Sequence, residues 1–199
     1  MCSSDLQAAF YSIFHSVSAF CNAGITLFDN NMVGFINVPI VLTTLSFLVF
    51  AGGIGFIVWY ELAHGVISWV KSYWNKTCNL HTYSLHTKIT VTTSLLLIIF
   101  GSLFIWGIEQ HHTLNHLAPG QGVINSLFLS ISMRSAGFTI VDFSQISSAT
   151  MLILLALMFI GASPSSTGSG IKTTTFALFC MTMRSVIDRK STRLNSSHQ

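Results

Sequence analysis

Two stretches decide how this chain is read: Phe14-His15-Ser16-Val17-Ser18-Ala19-Phe20-Cys21-Asn22-Ala23-Gly24-Ile25 and Phe128-Leu129-Ser130-Ile131-Ser132-Met133-Arg134-Ser135-Ala136-Gly137-Phe138. Each sets a short run of apolar and small residues before a glycine free to take the positive φ of a sharp reversal. Phe14 to Ser18 matches Phe128 to Ser132, and Asn22 to Thr26 matches Ser135 to Thr139. The register slips by one residue between the helical part and the turn part. The runs Gln7 to Phe20 and Gln121 to Met133 fall short of the roughly 20 apolar residues that cross a bilayer. Both therefore read as short helices leading into glycine turns, each followed by a long apolar segment.

The surroundings of the two turns look like membrane. Hydrophobic residues make up 51% of the chain and charged residues 8%, with a mean hydropathy of +0.64. Soluble domains carry about a quarter charged residues, so the class is an all-α integral membrane protein. Irregular backbone facing lipid costs several kcal/mol per unpaired group, and it persists only when packed in protein or lining an aqueous path. Carbonyl oxygens of such turns build cation filters. The function read from the residues is cation conduction.

Other classes lack support. The net charge of +3 comes with no basic, aromatic-interleaved stripe, so no nucleic-acid partner is expected. Cys2, Cys21, Cys78 and Cys180 show neither a zinc nor a disulfide spacing. His111, His112 and His116 read as solvated loop residues rather than metal ligands, and no cofactor or metal other than the transported ion is expected. No cleavable signal peptide is visible.

Between the turns, Val38 to Leu62 reads as one spanning helix. Pro39 stands near its start, Gly52, Gly53 and Gly55 serve close helix packing, and Trp59 and Tyr60 mark an interface. His64 to Lys88 reads as a polar loop and Ile89 to Ile108 as a second span. The loop from Glu109 to Gly120 has no Lys or Arg, whereas the preceding one holds Lys71, Lys76 and Lys88. That asymmetry puts the Lys71 loop inside and the His111 loop outside. One further crossing returns Arg184, Arg189 and Lys190 to the inside, as the same rule demands. Asp29 and Asp142 read as solvated residues near the outer mouth.

The apolar run Thr150 to Ile160 stops at Gly161-Ala162-Ser163-Pro164-Ser165-Ser166-Thr167-Gly168-Ser169-Gly170. No straight helix passes Pro164 and these glycines, so two half-helices joined by an intramembrane loop are expected, Thr173 to Met183 forming the second. A phosphate-binding loop is excluded because Ile171, not glycine, precedes Lys172. Two alternatives to a mobile constriction stay open: an intramembrane serine hydrolase using Ser163, and a secondary transporter holding an organic solute at the break. The first lacks a histidine on a neighbouring span and has Pro164 directly after the serine. Arg134 and Lys172 are charges within the membrane zone. Arg134 reads as holding its turn through an ion pair or carbonyl contacts; the role of Lys172 is open.

Four ordered motifs then carry a resemblance: Ser18-Ala19-Phe20-Cys21-Asn22-Ala23-Gly24, Gly52-Gly53-Ile54-Gly55-Phe56, Arg134-Ser135-Ala136-Gly137-Phe138, and Gly161 through Thr173. From Gln7 to about Arg189 the chain resembles the Trk/Ktr/HKT potassium transporters, closest to the bacterial KtrB membrane subunit. The resemblance implies helix–pore-loop–helix repeats of the K⁺ channel-like type, incomplete here, with one broken transmembrane helix. Residues 7–63 would be the pore helix, filter turn and inner helix of one repeat, 64–88 a cytoplasmic loop, and 89–190 a complete repeat. Gly24 and Gly137 would be two of four filter glycines, with Asn22, Ala23, Ile25, Ser135, Ala136 and Phe138 completing the filter turns and Arg134 supporting them. Gly161 to Gly170 would be the gating loop. The resemblance further implies K⁺ as the transported ion, no enzymatic activity, a multi-pass place in the inner (plasma) membrane among lipids, a homodimer, and a cytoplasmic nucleotide-binding regulatory ring. Residues 1–6 and 191–199 resemble translated adaptor sequence and are expected to stand outside the fold.

Overall fold

The computed structural model describes residues 2–75, 82–115 and 117–196. Lys76, Cys78 and His116, with their expected places in polar loops, lie outside the described residues, as do Met1 and the tail 197–199. The described residues are helical: α1 (Cys2–Phe20), a 3₁₀ turn (Val33–Phe35), α2 (Pro39–Ile54), α3 (Phe56–Asn75), α4 (Leu85–Glu109), α5 (Pro119–Ser135), α6 (Ser148–Phe159) and α7 (Thr173–Ser196). Pro39 and Pro119 open α2 and α5, where a missing N–H loses no helical bond.

The centre of the packing is α5, a short helix buried nearly all round. Asn125, Ser126, Phe128, Leu129, Ser130, Ile131, Ser132, Met133 and Arg134 along it are all buried. It packs against α2, α4 and α6, while α1 packs on α2. A helix buried on every side belongs in the core of a bundle, and α5 holds its place partly by hydrogen bonds. Ser130 Oγ donates to the Ile98 carbonyl of α4 at 3.1 Å, beside Gly101, whose missing side chain makes room for it.

Helix α4 is 25 residues long and apolar, enough by length and composition to cross a membrane. Its N-terminus is capped by Ser84, whose hydroxyl accepts from the Thr87 N–H. At its other end Glu109 is buried. Its carboxylate accepts from the Thr113 hydroxyl at 2.6 Å and from the Ser147 N–H at 3.1 Å. The one acid tethers the loop after α4 to the start of α6.

The expected straight span from Val38 to Leu62 is corrected: α2 and α3 meet at Gly55 and are bent by 101°. Gly55 sits at φ +92°, and the N–H of Phe56 donates across to the Ser165 carbonyl at 3.1 Å instead of continuing the helix. Of the glycines expected to serve packing, Gly52 does so, since a Cβ there would overlap the carbonyl oxygen of Phe20. Gly55 is instead a corner. The polar loop expected from His64 is also corrected as far as Asn75, because that stretch continues α3. Its apolar residues outnumber its scattered polar ones and carry the helix through. Helix α1 starts at Cys2 and α7 runs to Ser196, so both pass into the segments expected to stand outside the fold. Extending an existing helix fixes one residue per added bond and needs no new nucleus.

Gly55→Leu would place a Cβ 2.5 Å from the Pro164 carbonyl oxygen at a left-handed φ. It is expected to destabilise the protein by at least about 1–3 kcal/mol. A lowered thermal midpoint of the purified full-length protein in detergent is the measurement.

Candidate functional site

Helix α1 ends on a left-handed residue. The Ala23 N–H reaches back to the Ser18 carbonyl at 2.9 Å, with Asn22 at φ +53°, the arrangement of a Schellman C-cap. Two residues on, Gly24 takes φ +66°. Helix α5 ends more directly: the N–H groups of Ala136 and Gly137 both return to the Ser132 carbonyl at 2.9 Å, and Gly137 takes φ +85°. The extra left-handed residue, Asn22, absorbs the one-residue slip between the two copies.

A serine of the preceding helix fixes each turn. Ser18 Oγ donates to the Ile25 carbonyl at 2.8 Å and accepts from the Ile25 N–H at 3.0 Å. Ser132 Oγ donates to the Phe138 carbonyl at 2.8 Å. Both serines are buried, and each grips the residue directly after the glycine. Sequence reasoning missed these two residues, although the signal was present: both are the last serine of the repeated Phe-x-Ser-x-Ser pattern.

The two turns lie side by side. A Cβ on Gly24 would overlap the Ala136 carbonyl oxygen and stand 3.6 Å from the Gly137 Cα, so only glycine permits this approach. The following loops are also paired, with the Met32 N–H donating to the Thr139 carbonyl at 2.9 Å and the Thr139 N–H to Asn31 Oδ1 at 3.2 Å. Asn125 of α5 donates to the Ile36 carbonyl. His15 braces the first turn from behind. It stacks on Phe28 at 4.8 Å, its Nδ1 lies 2.6 Å from the Tyr11 carbonyl, and its Nε2 accepts from the Leu27 N–H. Ala23, Ile25 and Gly137 are exposed.

The break between α6 and α7, expected from Pro164 and the glycines, is present. Residues 160–172 fold back so that the Ala162 N–H donates to the Ser169 carbonyl and the Thr173 N–H to the Ala162 carbonyl. The loop docks on the α2–α3 corner: the N–H groups of Ser163 and Thr167 donate to the carbonyls of Gly53 and Gly52 at 3.1 and 3.3 Å. Ser166 Oγ closes onto the Ser163 carbonyl at 2.5 Å. Lys172 Nζ donates to the Gly168 carbonyl at 2.9 Å, which gives this lysine a place within the loop.

Arg134 is buried and reaches the loop rather than its own turn, donating from Nη2 to the Gly161 carbonyl at 3.1 Å. Of the two contacts open to it, the carbonyl contact is the one formed. Beside it lies a void of about 20 Å³ lined by Ser94, Ser135 and Ala162, and Arg134 Nε has no partner. Ser163 is fully buried, and its hydroxyl lies 3.3 Å from Thr173 Oγ1. A hydroxyl neighbour supplies no base, so no group bonded to Ser163 among the described residues activates it as a nucleophile. Asp29 and Asp142 are exposed beyond the turns. The backbone N–H of Ser144 bonds the Asp142 carboxylate and holds it below the usual carboxylate range.

The sequence and fold match known proteins. The family model described as TrkH, a cation transport protein, matches residues 1–196. The Ktr system potassium uptake protein B of Vibrio alginolyticus is 41% identical over 174 residues, which cover 86% of this chain and 36% of that protein. The protein of the same name from Bacillus subtilis (strain 168) is 37% identical over 84% of this chain and 35% of its own length. The crystal structure of the potassium transporter TrkH from Vibrio parahaemolyticus superposes with a TM-score of 0.70 at 21% identity, covering 92% of this chain and 36% of that one. This likeness shows the all-α fold. The chain thus spans little more than a third of the length of the curated relatives it matches.

Ser132→Ala removes the buried hydroxyl that holds the Phe138 carbonyl. It is expected to lower stability by about 1 kcal/mol, read as a drop in the detergent melting midpoint of the full-length protein, with Ser132→Thr keeping more of it.

Proposed function

Because the chain belongs to the TrkH family of cation transport proteins, we propose that it supplies two of the filter turns and the gating loop of a membrane K⁺ uptake protein. The observation that carries this reading is the meeting of two glycine corners at the ends of two short helices, Gly24 against Ala136 and Gly137. Irregular backbone placed this deep among apolar helices needs a reason, and coordination of a partly dehydrated cation by carbonyl oxygens is one. The coordinating groups are the backbone oxygens of Asn22 to Ile25 and Ser135 to Phe138, each glycine being set by geometry and not by chemistry. In a protein of the relatives' length, further turns would close the ring.

The loop Gly161 to Gly170 is the constriction below the filter. Its support is its position, docked on the α2–α3 corner and bonded to Arg134 above. The relatives named as potassium uptake proteins support K⁺ as the ion. We place the whole protein in the plasma membrane as a multi-pass homodimer, with the basic loops inside, where a cytoplasmic nucleotide-binding ring would dock. No cofactor is assigned, and the movement of K⁺ is passive or ion-coupled.

Flux of K⁺ into liposomes holding the full-length protein, with no organic solute present, tests this reading. Uptake above protein-free liposomes is expected, and Gly24→Ala should bring it to that baseline. Absence of K⁺ flux from the wild type, or its dependence on an organic solute, would overturn the assignment. A serine-reactive phosphonate probe is expected to leave the protein unlabelled.

A further inference from the structure

Three segments far apart in sequence converge on one side chain. The Asn22 carboxamide is buried. Its Nδ2 donates to Thr167 Oγ1 at 2.8 Å, and its Oδ1 accepts from Ser135 Oγ at 2.9 Å. Thr167 Oγ1 also lies 3.1 Å from the Phe20 carbonyl and 3.2 Å from the Gly52 carbonyl. Carbonyls only accept, so the single hydroxyl proton of Thr167 goes to one of them, and its lone pair must receive the Asn22 N–H. That fixes the amide orientation, and Ser135 must then donate to Oδ1. The direction of both Asn22 bonds is thereby set.

The surroundings are shaped to admit the amide. A Cβ on Gly52 would overlap the Phe20 carbonyl oxygen and press within 2.9 Å of Asn22 Nδ2. Asparagine also suits the left-handed φ of +53° better than other side chains able to bond on both faces. Gln is too long to keep both bonds from this backbone, and Asp would lose the donor that Thr167 receives.

We propose that Asn22 is a positioning residue that couples the two filter turns to the loop, so that the loop's attachment sets the filter's ion preference. Ser135 opens the second turn, Asn22 lies within the first, and Thr167 is the loop's contact with the Asn22 amide and, through it, with Ser135. When Thr167 leaves, the Asn22 amide loses its donor-side partner and the spacing of the two turns is no longer fixed from below. The loop is then part of the filter's scaffold as well as an obstruction under it. This inference rests on the reading of the turns as a filter and of residues 161–170 as a gate.

The experiment is K⁺ and Na⁺ flux through the full-length transporter in liposomes, for wild type, Thr167→Val, Thr167→Ser and Ser135→Ala. Thr167→Val keeps the shape and removes the hydroxyl. It is expected to raise K⁺ flux and to change the K⁺ over Na⁺ ratio by roughly two- to tenfold, the range one neutral hydrogen bond can shift. Thr167→Ser should restore both. Ser135→Ala, on the far side of the amide, should change the ratio in the same direction, and its combination with Thr167→Val should add little, since both act through Asn22. A rise in flux with the ratio unchanged would overturn the coupling and leave the gate intact. A changed ratio without a rise in flux would keep the coupling and overturn the gate. No change in either would overturn both, and if Thr167→Val fails to reach the membrane, an unaltered ratio in Ser135→Ala overturns the coupling by itself.

Discussion

The constraint on which this structure depends is the demand of backbone amides and carbonyls for partners among apolar helices. Two helices are interrupted here, α2–α3 at Gly55 and α6–α7 at residues 160–172. Each interruption alone would leave unpaired groups at its ends, at several kcal/mol apiece. Each instead supplies what the other lacks. The carbonyls of Gly52 and Gly53, left over where α2 stops, receive the N–H groups of Thr167 and Ser163, and the first N–H of α3 goes to the Ser165 carbonyl. The two breaks form one structural unit.

Beside that unit, the repeated helices α1 and α5 work by the same economy of hydrogen bonds. Each ends on a glycine turn, and each sends one buried serine hydroxyl forward to hold the carbonyl beyond the glycine. The copies are not identical, because α1 leaves through an additional left-handed asparagine. That difference has a use: it brings a carboxamide where α5 offers only Ser135 and the loop only Thr167. Burial of most of α5 makes it the fixed post against which the first repeat, the loop and α4 are registered.

Much of this was legible in the residues. The glycine turns and the break at Pro164 follow from local chemistry, as does the long apolar α4, whereas α1 runs to 19 residues and is longer than its apolar run from Gln7 implied. The bend at Gly55 does not, because Gly52-Gly53-Ile54-Gly55 reads equally as helix packing. What turns it into a corner is the Ser165 carbonyl, which takes the Phe56 N–H from a distant part of the chain. The helicity of residues 64–75 was hidden by polar residues spread among apolar ones. Ser18 and Ser132 were visible in the repeat but had no evident task until the carbonyls they hold were placed. The Asn22 cluster joins residues 113 and 145 apart, a convergence that no local pattern encodes.

The mutual pairing of the two breaks has one more consequence. If residues 163–167 draw away from the α2–α3 corner, the Gly52 and Gly53 carbonyls and the Phe56 N–H lose their partners together. Among the described residues no further backbone bond to these groups is formed, so solvent molecules are the partners they would take up. Separation of the loop from the corner and wetting of the space between them are therefore a single event, and a dry separated state is excluded by its energy.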